Sequence, residues 1–298
     1  MKHRAVFCCA VVLAALIQVR AAGRSAADDA VPVTEISPRL FVLATRSGNV
    51  LVSVGADGAF LFGTPSTTST AQISSFIGKH TESKVRFFVA TDQAPEHSEG
   101  DGGWGKLGAQ IAMQENCTRR LGGDVMGEPE PLPARLAALG VSRPSISFSE
   151  VLAFDVNGDS IHVVHQSPGY SDADTLTHFH VDNVVYFGEV FPGDGYPEVD
   201  DNQGGRIDGF LKTLAPWTNG PYKIVPARGK VTDAAHVKAF RDMILTVRKR
   251  VARLIAENRS EAEIIAEHPT SEFDARWGHG HISPETFVHA VYSSLKKK

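Results

Sequence analysis

The side chains able to do acid–base or metal chemistry in this chain are its 12 histidines and 34 carboxylates, and spacing sorts them into a few groups. In Thr91-Asp-Gln-Ala-Pro-Glu-His97 an imidazole follows Glu96 directly and Asp92 by a few residues, so His97 with Glu96 or Asp92 could pass protons near neutral pH. His178 and His180 share one face of a strand, His162 and His165 point to opposite faces of theirs, and His279 and His281 flank Gly280. Such pairs can hold a metal, but scattered histidines are more often surface or hydrogen-bonded groups, and we read them so. The glycine-rich run Gly100–Gly105 lacks the Lys-Ser/Thr of a phosphate loop and reads as a turn into a helix.

The elements that must position these groups come from apolar periodicity. Leu40–Ala44, Val50–Val54 and Ala59–Phe62 read as a three-strand meander, with the turn Gly55-Ala56-Asp57-Gly58 between the last two. Ser66–Ser69 can cap a helix carrying Ile73, Phe76 and Ile77, Val85–Ala90 is a buried strand, and Leu107–Met113 is expected to be helical. Residues 128–134, Glu-Pro-Glu-Pro-Leu-Pro-Ala, form a connector. The second half repeats the logic. Val151–Val156 and Ile161–His165 flank an Asn157-Gly158-Asp159 turn, strands follow at Thr175–Phe179 and Val184–Phe187, and Gly205–Leu214 is a helix. Lys223–Pro226 is a strand, and Asp233–Glu257 is a long amphipathic helix with Arg248, Lys249, Arg250 and Arg253 facing solvent.

Composition narrows the function classes. The 298 residues carry 30 Lys and Arg against 34 Asp and Glu, a net charge of -4, too balanced for a protein that wraps phosphate backbones; nucleic acid is not an expected partner. Lys2, His3 and Arg4, the apolar run Ala5–Val19, and the small pairs Ala21-Ala22 or Ala26-Ala27 read as a cleaved signal peptide over residues 1–27. That run falls short of the ~20 apolar residues that span a bilayer, so an exported chain (periplasmic or secreted) without a stable membrane span is expected. Of three cysteines only Cys117 would survive cleavage, which leaves no internal disulfide. One domain over 33–298, its last part (260–298) a helical extension, fits the length.

Four segments then carry a resemblance. Thr91-Asp-Gln-Ala-Pro-Glu-His97, Ser167-Pro-Gly-Tyr-Ser-Asp-Ala-Asp174, Phe187-Gly-Glu-Val-Phe191 with Tyr196-Pro197, and Val225-Pro-Ala-Arg-Gly229 resemble the metallo-β-lactamase superfamily. The tail, Trp277-Gly-His-Gly through Tyr292-Ser-Ser-Leu295, resembles that of its exported hydrolase-like members. The resemblance implies an α/β fold, an αββα sandwich of two mixed sheets flanked by helices, with a site along one edge. It also implies two zinc ions held by imidazoles and carboxylates, which lower the pKa of bound water and clamp an oxyanion.

Against that pattern the ligands are mostly absent. Asp92 and Ala94 stand at the two histidine positions of the first metal, and Tyr170 stands at its third. For the second metal Glu96 replaces Asp, His97 matches, Glu189 replaces the bridging Asp, and Arg228 stands where the last histidine belongs. Glu for Asp adds a methylene, about 1.5 Å of reach. Arginine stays protonated and has no lone pair to give. Gly63 occupies a further acidic position, and Asp174 matches the family's Asp. The expectation is a cleft of Asp92, Glu96, His97, Tyr170, Asp174 and Arg228 with no cofactor. Its ligand would be a small molecule or protein partner, and the charge of Arg228 would substitute for the missing metal. The alternative is zinc or another divalent ion on Glu96, His97 and Glu189, serving hydrolysis of an ester, amide or lactone.

Overall fold

Runs of alternating and continuous apolar residues build two sheets, each backed by helices. The computed structural model describes residues 31–63, 67–91, 103–121 and 144–297. The expected signal segment, the stretch holding Asp92, Ala94, Glu96 and His97, and the 128–134 connector lie outside the described residues.

The first sheet has seven strands in sequence order. β1 (Val33–Ser37), β2 (Leu40–Ala44), β3 (Asn49–Gly55) and β4 (Gly58–Phe62) form an antiparallel meander; β5 (Val85–Val89), β6 (Gln110–Gln114) and β7 (Ile146–Phe148) continue it in parallel. The meander thus has four strands where three were expected. β1 is a largely exposed edge strand, so Val-Thr-Glu-Ile-Ser carries little of the apolar signal that marks a buried one.

The helix expected over Leu107–Met113 is instead β6. Ile111, Ala112 and Met113 are buried in succession, as a strand covered on both faces requires, and so short a run cannot be told from a helix by periodicity. Residues 103–106 are helical before it, and Glu115–Leu121 is a helix after it.

The second sheet runs β12-β11-β10-β9-β8, from β8 (Val151–Val156), β9 (Asp159–His165), β10 (Thr175–Phe179), β11 (Val184–Tyr186) and β12 (Lys223–Val225). Asn157 and Gly158 both adopt positive φ, 51° and 74°, the backbone that a tight right-twisted hairpin demands. β11 and β12 are parallel, joined through the helix Ile207–Leu214.

Three apolar layers follow. Leu51, Phe60 and Phe62 of the first sheet meet Phe154, Ile161 and Phe179 of the second. Ile73, Ile77 and Cys117 cover the outer face of the first sheet. The long helix Ala234–Ala256, capped by Asp233 accepting from the His236 amide, lays Val237, Phe240, Ile244 and Val247 over Leu176, Val185 and Ile224 of the second. The result is the expected αββα order. Glu261–Ala266 and Pro284–Lys296 close the chain, each with a serine cap. No helix among the described residues is long and apolar enough to cross a membrane.

Candidate functional site

At the edge where β11 and β12 end, two short turns bring a carboxylate and a guanidinium together. β11 runs into a single 3-10 turn, Gly188–Val190, that Gly188 enters at φ 53°, and this buries Glu189. β12 runs into Pro226-Ala-Arg-Gly229. The Asn49 side chain, itself buried, donates to the carbonyls of Pro226 (2.9 Å) and Gly229 (3.0 Å), and its backbone amide donates to Ala227 (2.7 Å). The amides of Ala227 and Arg228 donate to the carbonyls of Phe191 and Pro192. A Cβ at Gly193 would lie 2.4 Å from the Arg228 carbonyl, so only glycine lets these two turns touch. Held in this way, Arg228 donates from Nη1 to Oε2 of Glu189 at 2.8 Å. The carboxylate is 8% exposed and the guanidinium 37%, so water screens one partner far more than the other.

The Ser167–Asp174 loop is built around Asp174. Its Oδ2 accepts from the amides of Gly169 and Tyr170 and its Oδ1 from the Ser171 amide, each at 2.8 Å, with the Ser171 hydroxyl at 3.1 Å. Burial pushes its carboxyl up to about 7, outweighing those four donors, which pull the other way. Asp174 therefore faces its own loop and not solvent. Tyr170 is also buried, in the core with Ile207 and Phe210. The helix Ile207–Leu214 presses on this loop so closely that a Cβ at Gly209 would sit 1.5 Å from the Pro168 carbonyl. Of the residues singled out in the sequence, Glu189 and Arg228 are thus in direct contact, while Tyr170 and Asp174 shape the neighbouring loop.

No protein-family model matches the sequence, and no curated protein is similar to it in sequence. Solved structures are similar in fold. A metallo-β-lactamase from Pontibacter korlensis superposes with a TM-score of 0.58 at 12% identity, covering 72% of this chain and 99% of that one. The DIM-1 metallo-β-lactamase gives 0.58 at 15%, covering 73% and 98%. The stereoselective inverting sec-alkylsulfatase Pisa1 from Pseudomonas sp. gives 0.66 at 16%, covering 89% of this chain and 50% of that one. The chain has the metallo-β-lactamase fold. It spans about half the length of the alkylsulfatase.

On this metallo-β-lactamase fold, the resemblance places metal ligands at the Glu189 and Arg228 positions. A guanidinium has no lone pair for a metal, and here it occupies the carboxylate beside it, so this part of the site does not fit a bound cation. Among the described residues no group of three or more His, Cys, Asp or Glu side chains could hold a metal ion. Two cavities open beside Arg228. One, of about 300 Å³, is walled by Asp194, Tyr196, His279 and His281. The other, of about 410 Å³, is walled by Asp194, Lys230, Thr232 and His236. Sequence reasoning missed Asn49, whose only signal was a polar residue opening an otherwise apolar strand. It also missed that the His279–His281 segment lines a cavity with Arg228.

Proposed function

We propose that this is an exported protein of the metallo-β-lactamase fold that has lost the hydrolytic zinc centre and uses the remaining cleft to bind a small ligand or a partner without hydrolysing it. The observation that carries the reading is the 2.8 Å bond from Arg228 to Glu189, at two positions where the resemblance calls for metal ligands. A divalent ion about 4 Å from a guanidinium would meet a repulsion of roughly 8 kcal/mol at an effective dielectric near 20, enough to offset much of the attraction of nearby carboxylates. Export rests on the basic start and apolar run at residues 2–19.

Metal analysis of protein purified without chelator or added zinc, beside a panel of ester, amide, lactone and β-lactam substrates, tests this. Less than a tenth of an equivalent of metal in the cleft and no turnover is the expected result. Chelator-sensitive turnover would establish the reduced-site hydrolase on Glu96, His97 and Glu189 instead.

A further inference from the structure

Away from the cleft, the outer face of the second sheet carries three imidazoles side by side. His162 on β9 lies directly opposite His178 on β10, and His180 follows on the same face. Nε2 of His180 stands 3.1 Å from Nδ1 of His162, and the His178 and His180 rings are 4.0 Å apart. Trp217 and Tyr222 wall the group from one side, with the Trp217 ring 5.3 Å from that of His178. His180 is exposed and His162 half-buried, so the pair is open to solvent.

We propose that His162 and His180 form a two-imidazole binding site for a soft or borderline divalent transition-metal ion, Cu(II), Ni(II) or Zn(II). Two nitrogens each about 2.05 Å from one ion lie about 2.9 Å apart at a right angle and about 3.3 Å apart at the tetrahedral angle, so 3.1 Å falls inside the bite of a single coordination sphere. His178 sits beside the pair with its Nε2 buried and without a hydrogen-bond partner among the described residues, and it is not one of the two ligands. The pair now shares one N–H···N bond. On binding, the donating ring moves its proton to its other nitrogen, so both lone pairs face the ion and no proton need leave the pair. With two protein ligands the ion keeps water in its remaining positions and exchanges readily.

The test is titration of the full protein with CuSO4, followed by calorimetry, by electron paramagnetic resonance and by tryptophan fluorescence. One equivalent should bind, with splitting from two equatorial nitrogens and quenching that largely disappears in Trp217→Phe. His162→Ala and His180→Ala should each weaken binding tenfold or more. His165→Ala should not, since His165 points to the opposite face and bonds the Asp172 carbonyl. His180→Gln, at an exposed position, guards against a folding artefact and should weaken binding likewise. Failure to bind copper at all, or binding unchanged in the His162→Ala/His180→Ala pair, overturns the proposal. Binding that survives that pair but is lost in Glu189→Gln overturns the metal-free cleft as well, so the two readings fail separately.

Discussion

Asp174→Asn should loosen the Ser167–Asp174 loop, and the cost follows from the hydrogen bonds. All four of the groups bonded to Asp174 are donors. An asparagine can keep its oxygen toward Gly169 and Tyr170, and the Ser171 hydroxyl can turn to accept from the new amide. The Ser171 backbone N–H then faces another donor inside the protein, an unmet group worth about 1–3 kcal/mol. Acidity modulates this. The Asp174 carboxyl is raised in the fold from 3.8 to about 7, so its contribution is fully present below about pH 4 and is lost as pH rises through 7. A carboxyl carried from 3.8 to about 7 contributes about 4 kcal/mol at most. Asparagine has no such term. Urea unfolding followed by circular dichroism at pH 5 and pH 8 should therefore find Asp174→Asn less stable than the parent, with the larger deficit at pH 5. A deficit below about 0.5 kcal/mol at pH 5, or a deficit that grows toward pH 8, would refute the reasoning.

Three other outcomes follow from the same geometry. A double-mutant cycle with Arg228→Met and Glu189→Gln should return a coupling of about 1–3 kcal/mol, below the range for fully buried pairs because Arg228 is partly in water; unfolding free energies of the four proteins measure it. Asn49→Ala removes two bonds to the turn that carries Arg228 and should cost about 1–3 kcal/mol, with faster amide exchange at Ala227 and Arg228. In an NMR titration the His178 ring should stay neutral down to about pH 4, and its depressed pKa should make stability fall as pH drops through the window from 6.5 to 4.

The parts of the fold that were legible in the sequence are those whose pattern is local. The β8–β9 hairpin announces itself through Asn157-Gly158, and the Asp233 cap and apolar stripe place the long helix to within a residue or two. β6 was misread because continuous burial removes the alternation that distinguishes a strand. β1 was missed for the opposite reason, as its exposed side chains need no apolar pattern.

The site divides along the same line. The resemblance led to the expectation that the charge of Arg228 takes the place of a metal, and Glu189 is the acid the fold brings to it. The role of Asp174 could not be read, because a carboxylate accepting from its own loop has the same sequence as one facing a ligand. Asn49 acts on residues 177 or more positions away in the chain, a relation that only the packed sheets create.

The most direct test of the account is metal content measured together with hydrolysis in the His162→Ala/His180→Ala background, which removes the surface pair from the measurement. The account predicts that protein purified without chelator holds well under a tenth of an equivalent of zinc and turns over none of the ester, amide, lactone or β-lactam substrates. One equivalent of metal that is lost in Glu189→Gln, with turnover abolished by a chelator, would contradict it.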